Sequence, residues 1–154
     1  MNAREKVRLR QATTEDAVAC ATILQDWLDQ TEWVPNMHTR DETVGFVRDK
    51  LIAKNDTIVA TVGDGPVCGF LSREDEFVST LYVAADARSK GVGAALLDRA
   101  KTRSARLNLW TFVANDAARR FYARHDFREL RRTDGDNEEG LPDILLEWLR
   151  PPPA

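Results

Sequence analysis

The chain is short of the residues that staple or anchor a protein. Its 154 residues include two cysteines, Cys20 and Cys68. That count excludes a disulfide framework and a zinc site built on paired cysteines. It makes a reducing cytosol the expected compartment. No apolar run approaches the ~20 residues of a membrane-spanning helix, so no membrane partner is expected. The opening, MNAREKVRLR, carries charge with no apolar stretch behind it, and no signal peptide is expected there. Repeats, low-complexity stretches and internal linkers are missing as well. One domain over residues 1–154 is therefore expected, with the proline-rich end from Arg150 onward frayed. The net charge is only −3, which argues against a nucleic-acid partner by bulk electrostatics.

What is present is an ordinary globular balance, 43% hydrophobic and 31% charged residues, enough for a full core. The charge is unevenly spread. Residues 84–132 hold 12 Lys and Arg against 5 Asp and Glu, a balance of +7, and the remainder balances at −10. One part suits an anion and the other a cation, unless these are simply solvated faces.

Periodicity divides the chain. Arg8–Ala12 alternates as a first strand. Thr13 to Asp16 offers a helix cap, and Ala17, Cys20, Ala21, Leu24 and Leu28 form an inward stripe of a helix ending near Asp29. Cys20 lies in that stripe and reads as core. Thr31–Thr39 is a loop, and Arg40–Ala53 a second helix weakened by Gly45. Three strands follow as a meander, Thr57–Val62, Val67–Ser72 and Phe77–Val83, joined by Gly63-Asp64-Gly65 and Glu74-Asp75-Glu76. Strands Leu107–Phe112 and Phe127–Arg132 each adjoin a helix, and Ile144–Leu149 closes the set. The order predicts an α+β domain on a mixed sheet.

Leu81–Ala105 (LYVAADARSKGVGAALLDRAKTRSA) carries the most information. A strand ends at Val83, and Arg88-Ser89-Lys90-Gly91-Val92-Gly93-Ala94 opens a helix with Leu96, Leu97 and Ala100 inward. A helical glycine costs about 1 kcal/mol against alanine, so two in one first turn need a reason. Without a Cβ, backbone N–H groups can meet a ligand. A helix start also offers unpaired donors and partial positive charge, to which Arg88 and Lys90 add. The segment reads as a phosphate or pyrophosphate site. A P-loop is excluded because no G-x-x-x-x-G-K run exists. The dinucleotide fingerprint fails because Leu96 stands where a small residue is required.

On these residues the sequence resembles the GNAT-type N-acetyltransferase superfamily, whose fingerprint R/Q-x-x-G-x-G/A lies between the fourth strand and third helix. Arg88 to Gly93 matches it fully. Asn115-Asp116-Ala117-Ala118-Arg119-Arg120-Phe121-Tyr122 is similar to the family's fourth helix, N-x-x-A-x-x-x-Y. The likeness runs from RLRQATTED to DILLEWL. One departure is Asp126 where the family has glycine before Phe127; aspartate tolerates the left-handed backbone better than most residues. The resemblance implies a central, mostly antiparallel sheet of six to seven strands with about four helices, splayed between its fourth and fifth strands.

It also implies acetyl-CoA as cosubstrate with no metal, and an amine acceptor. The turn Arg88–Ala94 would hold the pyrophosphate, with Asn115 and Ala118 beside it. The pantetheine would pair with main chain at Leu81, Tyr82 and Val83. The Val83 N–H would polarise the thioester carbonyl as an oxyanion forms, and Tyr122 would protonate the departing thiolate. Asn115 is also the natural cap of its helix. For a general base, Glu76 is a candidate because carboxylates on that strand serve so in some relatives; it also reads as a turn acid. Glu32, His38 and a water chain are others.

In the family two segments border the acceptor, here Asp29–Arg40 and Thr133–Asp143. The first offers Trp27, Glu32 and Trp33 at or beside it. The second carries Asp134, Asp136, Glu138, Glu139 and Asp143 without a base. Carboxylates steer cations and aromatic faces hold them, which favours a cationic acceptor, unless the loop is merely solvated. A homodimer is compatible with this picture. The alternative function is an acyl-CoA-binding regulatory module without turnover.

Overall fold

A computed structural model describes residues 6–153; residues 1–5, within the charged opening, and position 154 lie outside the described residues. Seven strands form one sheet: β1 (Val7–Gln11), β2 (Asp56–Val62), β3 (Val67–Glu74), β4 (Phe77–Val83), β5 (Arg106–Phe112), β6 (Arg128–Thr133) and β7 (Asp143–Leu149). Their spatial order is β1-β2-β3-β4-β5-β7-β6. Every pairing is antiparallel except β4 with β5. Among the described residues four α-helices accompany the sheet: α1 (Ala17–Asp29), α2 (Arg40–Phe46), α3 (Val92–Thr102) and α4 (Asp116–Arg124). This is the mixed, mostly antiparallel architecture expected from the sequence.

Two cores lie on opposite faces of the sheet. One gathers Leu96, Leu97 and Ala100 of α3 with Leu107 and Leu109 of β5, Ile144 of β7 and Tyr122 of α4. The other packs Cys20, Ala21 and Ile23 of α1 and Val47 and Leu51 against Val59 and Phe70. Cys20 is fully buried, as its place in the stripe predicts, and burial pushes its thiol up to about 12. Arg10 of β1 donates two hydrogen bonds to Asp16, each 2.8 Å, which fastens the start of α1 and holds the Asp16 carboxyl below its ordinary range.

The second helix departs from expectation in form. It is α-helical only to Phe46 and continues over Val47–Ile52 as a π-helix. Ala53 N–H reaches Arg48 C=O at 3.2 Å, and the Thr57 hydroxyl captures the Leu51 carbonyl. A wider turn of this kind is a local insertion. The end of the chain also differs from a fully frayed tail. Arg150 N–H bonds to Ala105 C=O at 2.8 Å, while Pro151 to Pro153 are exposed. No described helix is long and apolar enough to cross a membrane.

Candidate active site

The site begins with one extra residue in β4. Ser72 pairs with Thr80 and Arg73 with Val78, which leaves Ser79 as a β-bulge. Beyond the bulge, Ala84 N–H bonds to Cys68 C=O at 2.8 Å. By the alternation of an antiparallel ladder, Leu81 and Val83 then present their N–H and C=O groups to the opposite edge. There β5 meets β4 at a single register pair, Phe77 with Asn108, fastened by Asn108 N–H to Glu76 C=O at 2.9 Å. Past that pair the strands diverge. A cleft of about 300 Å³ opens between Leu81–Val83 on one side and Leu109–Phe112 on the other, with Asn115, Ala118 and Tyr122 of α4 along it. The Thr80 hydroxyl, also on the cleft, is buried without a hydrogen-bond partner. Buried polar groups are normally partnered, so this edge suits a ligand carrying amides.

At the end of β4 the chain turns through Ala85–Ala87 into α3. Ser89 and Gly91 adopt positive φ, 68° and 83°. The first bond of α3 runs from Ala95 N–H to Gly91 C=O at 3.0 Å, so the donors ahead of it, through Ala94, stand at an open helix start. Arg88 lines the cleft. The two glycines have different reasons. Gly91 has open space around it and is required by its φ. A Cβ on Gly93 would sit 3.2 Å from the Phe121 ring and 3.7 Å from Val83. Gly93 therefore lets α3 approach α4 and β4, a packing role beyond the ligand access expected of it.

Tyr122 is buried, its ring edge-on to Phe121 (5.2 Å) and Phe127 (5.4 Å). Burial, with Tyr82 nearby, pushes its phenol well above the ordinary tyrosine range. The Asn115 side chain accepts from Ala118 N–H at 3.1 Å, the predicted helix cap. Asp126 takes φ 70°, so aspartate does supply the left-handed turn before Phe127.

A second hollow, about 410 Å³, shares Ser79, Tyr82 and residues Trp110, Thr111 and Phe112 with the cleft and adds Asp136, Asn137, Glu139 and Asp143. Aromatic rings line the junction: Trp27 lies 5.4 Å from Tyr82 and 6.1 Å from Trp33, and Trp33 meets Phe112 at 5.7 Å. Burial and the Glu139 charge push Tyr82 up to about 12. The acidic connection is not a loose loop. Thr133 and Asn137 hold Asp143 from either side, and Asn137 also bonds both ways with Leu141. Glu138 accepts from His38 at 3.0 Å, tying this connection to the loop after α1.

Several expected residues lie elsewhere. Glu76 is exposed in the β3–β4 turn, at the closed end of β4, about 20 Å of strand from Val83. It is corrected as a base candidate because its carboxylate does not line the cleft. Glu32 is exposed and lines neither hollow. Lys90 lines a separate hollow of about 600 Å³ between α1 and the β2–β3 hairpin. Sequence reasoning missed Ser79, Trp110, Thr111 and Phe112. The alternation of LNLWTF puts Trp110 and Phe112 on one face and was the available signal.

The comparisons agree with this geometry. The model of the Acetyltransferase (GNAT) domain matches residues 51–129. The peptidyl-lysine N-acetyltransferase YiaC of Escherichia coli is 30% identical over 131 residues, 82% of this chain and 88% of that protein. Apo YjaB from Escherichia coli superposes with a TM-score of 0.78 at 21% identity, covering 95% and 99% of the two chains. The protein yncA from Salmonella typhimurium, solved with its cofactor acetyl-CoA, gives 0.74 at 17% identity, covering 97% and 96%. With its splayed fourth and fifth strands and glycine-opened third helix, the chain belongs to the GNAT family and is an acetyl-CoA-dependent N-acetyltransferase.

Proposed function

We propose that the enzyme passes the acetyl group directly from acetyl-CoA to a primary amine within a ternary complex. The observation that carries this reading is the single β4–β5 register pair, which leaves the main chain of Leu81 and Val83 unpaired beside Tyr122. When bound there, acetyl-CoA supplies a thioester already activated for attack. The N–H donors from Arg88 to Ala94 and the Arg88 guanidinium hold its pyrophosphate. Leu81 and Val83 act as the neighbouring strand for its amide-bearing arm, with Asn115 and Ala118 on the far wall. The Val83 N–H meets the negative charge that gathers on the thioester oxygen. Losing such a donor costs about 10²–10³ in rate. Tyr122 gives its proton to the departing sulfur. No carboxylate is assigned as base; the acceptor ammonium loses its proton to water through the acidic hollow.

For the acceptor, Asp136 and Glu139 attract an ammonium, and Trp27, Tyr82 and Trp33 wall in an alkyl stem. YiaC, named for acetylating peptidyl-lysine, supports a lysine side chain as that acceptor.

Tyr122→Phe tests the mechanism, because it keeps the ring and removes only the hydroxyl. Turnover should fall by about 10²-fold, while calorimetry should find the acetyl-CoA affinity nearly unchanged. Full turnover would move proton donation to water.

A further inference from the structure

Arginines crowd the edge of the sheet beside the acceptor hollow, and one of them stands apart. Along β6, Arg128 bonds Glu147 at 3.3 Å and Arg132 bonds Glu129 at 2.5 Å. Arg131 makes no ion pair among the described residues. Its register row runs Trp110, Leu145, Arg131 across β5, β7 and β6, so the backbones of Trp110 and Arg131 stand about 10 Å apart. Directly opposite residues share a face. The exposed Arg131 side chain reaches back over Leu145, and its guanidinium lies 5.0 Å from the Trp110 ring. Trp110 in turn forms a wall of both the cleft and the acidic hollow. A cation without a carboxylate partner is thus held over Trp110, a wall of the hollow that Asp136 and Glu139 also line.

We propose that Arg131 is a specificity-determining residue that binds a carboxylate carried by the acceptor beside its reacting amine. The acceptor is then a lysine flanked by Asp or Glu, or a free amino acid with the same pair of charges. This rests on the acceptor hollow proposed above. Guanidinium is suited to the task, since it binds carboxylates through paired N–H groups while one face stays on an aromatic ring.

The test uses two lysine peptides differing by Asp or Asn next to the lysine, with free lysine as a third acceptor. Each is assayed by thiol release and by calorimetric binding, with the natural enzyme and Arg131→Gln. The Asp peptide should show a kcat/KM about tenfold above the Asn peptide, carried by KM. Arg131→Gln should bring that ratio to about one, and Arg131→Lys should restore part of it. Free lysine outperforming both peptides would assign the small zwitterion as the source. A ratio near one in the natural enzyme, or a ratio unchanged by Arg131→Gln, would overturn the proposal. Asp-selective binding without thiol release would instead overturn the proposed transfer to lysine and leave Arg131 its role.

Discussion

Tyr122 shows how one side chain serves two environments. Its ring packs in the core with Phe127, and the residue also lines the cleft. Desolvation raises the phenol, which on its own makes a poorer acid. In the proposed transfer the leaving thiolate would form in the same cleft, where burial raises a thiol as well. The gap between donor and acceptor therefore changes less than either value. The sign has a consequence for pH. A raised phenol keeps its proton through the ordinary value near 10, so Tyr122 imposes no falling limb below it. With an amine as the proposed acceptor, the rising limb would be that amine losing its proton. The acceptor kcat/KM should climb from pH 6 to about 9.5 without a descent. A fall above pH 8 in protein that remains folded would show that a different acid is at work.

At the level of elements, the two glycines at the start of α3 answer to different demands, one to backbone conformation and the proposed anion site, the other to packing. Gly91→Glu keeps the space free for its Cβ but adds strain at positive φ and a carboxylate at an anion site. It should remain folded, lose about 1–2 kcal/mol of stability, and lose acetyl-CoA binding by calorimetry. Gly93→Ala presses a methyl against Phe121 at 3.2 Å. The overpacking costs about 1–3 kcal/mol against about 1 kcal/mol gained from the helix preference of alanine, so the net effect should be a modest loss of stability, read as a slightly lower melting temperature. If Gly93→Ala melts normally and only binding suffers, the close approach of α3 to α4 is not what requires this glycine. The bulge at Ser79 is the matching device in β4. It reverses which residues face β3, and so turns Leu81 and Val83 toward the cleft.

Across the whole molecule, the uneven charge has a spatial meaning. The basic stretch supplies the open start of α3 and α4 beside the cleft, while the acidic connection lines the second hollow. Within that connection the acids are not equivalent. Asp143 is held by Thr133 and Asn137, Glu138 by His38, and Asp134 lies outside the hollow. Asp136 and Glu139 remain, lining the hollow proposed to take a cationic acceptor. Replacing both with Asn and Gln should raise the KM of a cationic acceptor by about threefold to tenfold. The acetyl-CoA constant should stay, and Asp134→Asn should do nothing. The effect should shrink in salt, since exposed charges are screened beyond about 8–10 Å at 0.1–0.15 M. Equal changes for a neutral amine would mean that these residues shape the hollow and do not read charge.

Much of this was legible from the chain alone because it is local. Alternation and helical spacing specified the strands and helices in order, with boundaries off by a residue or so at several ends. The run Arg88 to Gly93 marked a turn of positive φ ahead of an open helix start, because these are properties of a few consecutive residues. Asn115, Ala118 and Tyr122 were assigned to one face by the 3.6-residue repeat, and Asp126 to a left-handed turn by its chemistry. Tertiary structure decided the rest. The Ser79 bulge exists only relative to β3, and the opening of the cleft depends on where β4 and β5 part. Neither leaves a periodic mark, because a strand reads alike whether its edge is paired or free. The same holds for the acids: Glu76, Glu32, Glu138 and Glu139 are one residue type, separated into turn, surface, clasp and hollow by partners as far as 100 residues away in sequence. Local spacing determines which groups can act together, and only the long-range register determines which of them meet.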